Sequence, residues 1–127
     1  MKGRYEVSVE GHFSSAHALR GYAGKCERLH GHNWRVRVAV TGERLDGTGL
    51  LLDFAHLKQL LARVLAELDH CHLNEDVAHF RRHNPSTEEI ARYVAERVAP
   101  ELPEGCRLAW VAVAETPGAE ARFIPAD

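Results

Sequence analysis

Two stretches of strict alternation constrain most of what this chain can fold into. From Tyr5 onward, Tyr5, Val7, Val9, Gly11 and Phe13 alternate with Glu6, Ser8, Glu10, His12 and Ser14, the period of a strand buried on one face. Trp34, Val36, Val38 and Val40 repeat the pattern, with Arg35 and Arg37 on the opposite side. Carried outward, the parity of the first strand puts His17 on its apolar face. The parity of the second does the same for His30 and His32. All three imidazoles are therefore expected to look into one interior layer.

The rest of the chain supplies helices to cover such a layer. Residues 42–49 are rich in turn formers. Asp53 then reads as the N-cap of a helix whose apolar stripe is Phe54, Leu57, Leu60, Leu61, Val64, Leu65 and Leu68. It ends near Asp69-His70, and a polar, His-rich loop follows. Asn84-Pro85-Ser86 suits a second helix start, with Ile90, Tyr93, Val94 and Val98 inward and Pro100 and Pro103 ending it. Residues 107–115 form a nearly continuous apolar strand, and residues 121–124 a short last one. The predicted order is β-β-α-α-β-β, an α+β domain spanning residues 1–127, with two helices on one face of a four-stranded antiparallel sheet. The edges of so small a sheet need covering or pairing, so assembly by sheet continuation is expected.

Composition excludes several classes. A chain of 127 residues with 45% hydrophobic content is large enough for a core of its own. Its net charge of −2 gives no basic field for generic nucleic-acid binding. No stretch reaches membrane-spanning length, and none resembles an apolar targeting segment. Three cysteines, Cys26, Cys71 and Cys106, point to free thiols in a reducing compartment. A soluble, cytoplasmic protein is expected.

The chemistry concentrates in the histidines, of which there are nine. A His-x-His pair on one strand face sets two imidazoles about 6–7 Å apart along the chain, and His17 on a neighbouring strand completes three nitrogen donors. Such a set suits zinc first. Cys26 precedes His30 in Cys26-Glu27-Arg28-Leu29-His30-Gly31-His32. It can serve as a thiolate nucleophile or general base, or as a fourth ligand closing the site. Cys71 and Cys106 read as structural. Asp69-His70 is either an oriented acid–base pair or a helix cap beside a solvated charge. His72, His79 and His83 read as exposed loop residues. Glu115 ends an apolar strand and needs a partner, either an arginine of this chain or a ligand with adjacent N–H donors.

These motifs, taken in order, resemble the 6-pyruvoyl-tetrahydropterin synthase superfamily. The match runs through Phe13-Ser14-Ser15-Ala16-His17, Cys-x-x-x-His-Gly-His, Asp53-Phe54, Leu68-Asp69-His70-Cys71-His72-Leu73-Asn74 and Glu115-Thr116, nearly the whole chain. Three residues between Cys26 and His30 resemble the bacterial branch that makes 6-carboxytetrahydropterin, a queuosine precursor; the pyruvoyl branch typically has five. The resemblance implies a T-fold, in which sheets of several subunits join into a barrel with interfacial active sites. It implies a homo-oligomer built on trimers, with a hexamer expected. By similarity His17, His30 and His32 hold Zn²⁺, and Cys26, Asp69 and His70 are catalytic. Glu115 and Thr116 bind the substrate, a pterin triphosphate. Lys25, Arg28, Arg81 and Arg82 are candidates for gripping its triphosphate. The chain departs from the family at Pro85-Ser86-Thr87-Glu88, where Pro-Thr-Ser/Ala-Glu is usual. It also carries Glu27, which fits the Glu-x-x-His-Gly-His of members that cleave dihydroneopterin for folate synthesis.

Overall fold

The computed structural model describes every residue except Lys25 and Cys26. Strands β1 (Tyr5–His17) and β2 (His30–Gly42) pair antiparallel along their whole length, from Tyr5 opposite Gly42 to His17 opposite His30. Alternation does what the sequence requires of it. Val9, Phe13 and His17 of β1 and Trp34, Val36, Val38 and Val40 of β2 are buried. Strand β4 (Arg107–Thr116) pairs with β2, setting Val113 against Val36 and Val111 against Val38. Strand β5 (Ala119–Phe123) closes a hairpin onto β4.

The sheet has five strands rather than the expected four, in the order β3-β1-β2-β4-β5. The additional strand β3 is only Cys71–His72 and runs parallel to β1, opposite Ser15 and Ala16. Two residues cannot display a period, so no pattern announced it.

Helix α1 (Phe54–Ala66) begins where expected, with the Asp53 carboxylate accepting from the Ala55 N–H at 2.9 Å. Leu57, Leu60, Leu61, Val64 and Leu65 face the sheet. Phe54, expected in the same stripe, is instead 55% exposed at the first helical position. Gly11 allows the close approach of α1 to β1, since a Cβ there would lie 2.8 Å from Leu65 Cδ1. Helix α4 (Thr87–Val98) is capped by Ser86, whose hydroxyl accepts from the Glu89 N–H at 3.1 Å. It lies over β4 and β5.

The expected His-rich loop folds into two short helices, α2 (Leu73–Asp76) and α3 (Ala78–Arg82). Leu73, Val77 and Phe80 recur at helical spacing and are all buried, which draws the segment onto the core. His72 and His79 are consequently half-buried rather than exposed; His83 is exposed. A single-turn 3₁₀ segment (Ala99–Glu101) follows α4.

The helices cover one face of the sheet. The other carries an ionic lattice, with Glu120 bound by Arg37 at 2.9 Å and close to Arg35 and Arg122. Among the described residues no helix is long and apolar enough to cross a membrane.

Leu57 is completely buried between α1 and the sheet. Leu57→Ala is expected to lower unfolding free energy by about 2–5 kcal/mol, read as a shift in the denaturant midpoint with unchanged slope.

Candidate metal centre and acid–base pair

The register of β1 and β2 makes the histidine cluster. His17 ends β1 directly opposite His30, and His32 sits opposite Ser15. Odd positions of β1 and even positions of β2 face the helices, so all three rings project to the same side. One ring nitrogen from each lies within 4.8 Å of the others. His17 Nε2 and His30 Nε2 are 3.1 Å apart. A tetrahedral zinc with bonds of about 2.0–2.1 Å separates its donors by about 3.3 Å, so this spacing suits a shared ion.

Two rings are oriented from behind. His17 Nδ1 donates to the Pro85 carbonyl at 2.7 Å, and His30 Nδ1 to the Arg28 carbonyl at 2.8 Å. Each bond fixes a tautomer that leaves Nε2 as the free donor atom, as metal-bound imidazoles require. His32 Nε2 is buried without a hydrogen-bond partner among the described residues, the state of a nitrogen whose partner is an ion. Burial lowers the pKa of His17 against the opposing pull of the Pro85 carbonyl, which keeps that ring neutral and able to ligate. Beside the cluster, Trp34 is fully buried and meets His17 and His32 nearly at right angles, with ring centroids 4.8 and 5.1 Å away. Trp34 stacks on Phe13 and anchors its indole N–H on the Ser15 carbonyl at 3.2 Å.

Glu115 reaches the same place from β4. Its Oε2 lies 3.6 Å from His32 Nε2 and 3.9 Å from His17 Nε2, and accepts from the Thr87 hydroxyl at 3.4 Å. The β4–β5 register shifts between Ala114 and Thr116, a bulge at Glu115 of the kind that re-aims a side chain. Among the described residues no arginine pairs with it. Thr116, expected beside it on the substrate, is exposed and opposes Ala119 in the hairpin.

Asp69 and His70 form the oriented pair and not a helix cap. His70 Nδ1 lies 2.9 Å from Asp69 Oδ2, and Asp69 Oδ1 accepts from the Ser14 N–H at 2.8 Å. That N–H, with His70 next, holds the Asp69 carboxyl below the usual carboxylate range. His70 adopts φ 54° while its own N–H bonds the Ser14 carbonyl at 2.6 Å. A left-handed non-glycine residue costs about 1 kcal/mol or more, and here it turns the chain from α1 into β3. With Nδ1 directed at Asp69, the rest of the His70 ring is exposed. Cys26 lies outside the described residues. Cys71 and Cys106 are free, and burial raises both thiol pKa values, as inert structural cysteines require.

Sequence reasoning missed the Pro85 and Arg28 carbonyls and the Thr87 hydroxyl. Backbone acceptors leave no residue-type signal. Thr87 stands in the family-like Pro-Ser-Thr-Glu run, which was a usable pointer.

A trihistidine cluster at the rim of an antiparallel sheet, with a carboxylate beside it and an Asp–His pair nearby in the chain fold, defines an α+β protein built around one metal-competent site. The model of the 6-pyruvoyl tetrahydropterin synthase family matches residues 6–125, and the chain belongs to that family. It is 38% identical to 6-carboxy-5,6,7,8-tetrahydropterin synthase of Bacillus subtilis, over 77% of this chain and 68% of that protein. It is 36% identical to dihydroneopterin monophosphate aldolase of Pyrococcus furiosus, over 85% of each. The structure of the Caenorhabditis elegans 6-pyruvoyl tetrahydropterin synthase superposes with a TM-score of 0.86 at 27% identity, covering 98% of both chains. The T-fold is thus the fold of this chain.

His32→Ala removes one donor while sparing the Pro85 and Arg28 contacts. The variant is expected to stay folded by circular dichroism and to lose stoichiometric binding of divalent metal, measured by elemental analysis after dialysis.

Proposed function

We propose that this chain is a zinc-dependent lyase converting 7,8-dihydroneopterin triphosphate to 6-carboxy-5,6,7,8-tetrahydropterin, with release of acetaldehyde and triphosphate. The observation that carries the reading is the convergence of three imidazole nitrogens and the Glu115 carboxylate on one small volume. The donor set is all-nitrogen, which fits zinc and leaves a coordination position for substrate. Bound there, zinc supplies Lewis-acid polarisation of the substrate's side-chain hydroxyls.

The chain's own residues do the rest. Glu115 is steadied by the Thr87 hydroxyl and accepts two N–H bonds from the guanidine-like edge of the pterin, orienting it by a bidentate, charge-assisted contact. Trp34 makes the floor beneath the imidazoles rigid and dry. His70, held in one tautomer by Asp69, takes and returns protons at Nε2. Cys26, by family resemblance, is the thiolate that works on the substrate side chain. Its place four positions before His30, with three residues between, sets it close to the metal ligands in the chain.

The same reading makes the working protein a homo-oligomer in the cytoplasm. Among the described residues β3 pairs with β1 only at Ser15 and Ala16, so the rest of that edge of β1 has free backbone groups, and β5 forms the opposite edge. Joining the two edges between subunits into a trimer-based barrel, with a hexamer expected, satisfies both. The relative from Pyrococcus furiosus gives weight to a second reading, cleavage of the dihydroneopterin side chain to a 6-hydroxymethyl pterin.

Mass spectrometry of the pterin formed by the zinc-loaded protein from 7,8-dihydroneopterin triphosphate tests the proposal. A 6-carboxytetrahydropterin with acetaldehyde is expected. A 6-pyruvoyl or 6-hydroxymethyl pterin sinks the assignment and leaves fold and cluster standing. A non-catalytic zinc module yields no product at all.

A further inference from the structure

A second group of imidazoles gathers at the short helix α3. His79 and His83 stand four apart in sequence, the spacing that puts two rings on one helical face and that serves zinc in His-x-x-x-His arrangements. Their rings stack, 25° from parallel, with centroids 4.4 Å apart. From the next helix, α4, the Glu89 carboxylate brings Oε2 to 3.5 Å from His79 Nε2. Two imidazoles and a carboxylate, drawn from either side of one turn, are a zinc-type donor set.

The state of the His79 nitrogen is an independent sign of a missing partner. Nε2 is buried and makes no hydrogen bond among the described residues. Its 3.5 Å separation from Glu89 is long for a hydrogen bond. It suits two donors on one tetrahedral ion, which stand about 3.3 Å apart. His32 Nε2 and Glu115 are in the same relation at the trihistidine cluster, 3.6 Å apart. The His79 ring packs against Phe80 and Tyr93, both buried, with centroids 5.1 and 5.4 Å away, so core packing fixes its place.

We propose that His79, His83 and Glu89 form a second divalent-metal site, suited to zinc, which clamps α3 to α4. His79 Nε2 and Glu89 stand ready. Among the described residues only His17, His30 and His32 already hold all their donors within 4.8 Å of one another. His83 is exposed and completes the second set by turning its ring. That turn costs affinity, so this site is the weaker of the two. Arg81 and Arg82 line the same hollow, but Arg81 Nε donates to the Glu75 carbonyl at 2.6 Å. The Glu89 carboxylate beside the imidazole favours a cation there over an anion.

What the clamp holds is the turn between the two helices. Asn84 in that turn grips the Arg20 backbone at both N–H and C=O, each at 2.8 Å. Pro85 offers its carbonyl to His17. An ion joining residues 79, 83 and 89 therefore fixes the segment that orients one ring of the trihistidine cluster, whichever pterin the protein makes.

Full-length protein, stripped of metal, is titrated with Zn²⁺ in phosphate-free buffer, and calorimetry reads the equivalents bound and their Kd values. His79→Phe, His83→Ala and Glu89→Gln are titrated alongside. Each removes one donor, and the first keeps an aromatic ring against Phe80 and Tyr93. Two equivalents are expected for the unaltered protein. Each variant is expected to keep the tighter one and to weaken the other by about tenfold or more, since even a group that only supports a ligand is worth about 10- to 100-fold in metal affinity. Any folded variant of the three that binds both equivalents with less than about tenfold loss overturns the proposal. So does an unaltered protein that binds a single equivalent which all three variants retain. Circular dichroism checks the fold. Should His79→Phe fail to fold, His83→Ala, which alters an exposed ring, and Glu89→Gln decide.

Discussion

The antiparallel register between β1 and β2 is the constraint on which everything else depends. It is set by burial: Val9, Phe13, Trp34, Val36, Val38 and Val40 reach the helix-covered face only in this alignment. A slip of one residue would turn each strand's apolar set to the ionic face, and it would scatter the histidines with them. The cluster therefore needs no separate device to bring its rings together. His17 meets His30 because the valines further along the same strands have to meet the core.

That economy explains the local design. Trp34 is both a core residue stacked on Phe13 and the floor of the metal-competent site, so site rigidity derives from core packing. Imidazoles at such a rim need their unused nitrogens satisfied, and carbonyls from two loops do this without charge. Glu115 arrives by a different route, a bulge in β4 that aims one carboxylate at the imidazoles. The Asp69–His70 pair is fastened to the backbone of Ser14, on the strand that carries His17. The histidine cluster and the Asp69–His70 pair thus share one scaffold strand and cannot drift independently.

Much of this was legible in the residues. Period two gave β1 and β2 and the shared face of His17, His30 and His32; helical spacing and caps gave α1 and α4. The pairing of Asp69 with His70 needed coordinates, because the same two residues at a helix end serve equally well as a cap. β3 was invisible at two residues. Residues 73–80 read as loop because polar and histidine residues outnumber Leu73, Val77 and Phe80, the apolar anchors that decide the matter. Phe54 kept the period of its stripe but stands at the helix terminus, in the solvent. Thr116 follows Glu115 in the motif and stands exposed at the hairpin bend opposite Ala119. The Asn84 clip acts on backbone groups, which sequence displays nowhere.

The β1–β2 register makes a trihistidine cluster fit to hold a metal in an open site. X-ray absorption at the zinc edge of the metal-loaded protein tests it most directly. Three imidazole nitrogens with light-atom donors completing the shell at about 2.0–2.1 Å are expected, and no sulfur. A zinc–sulfur distance of about 2.3 Å would make Cys26 a fourth ligand, closing the site and contradicting the account.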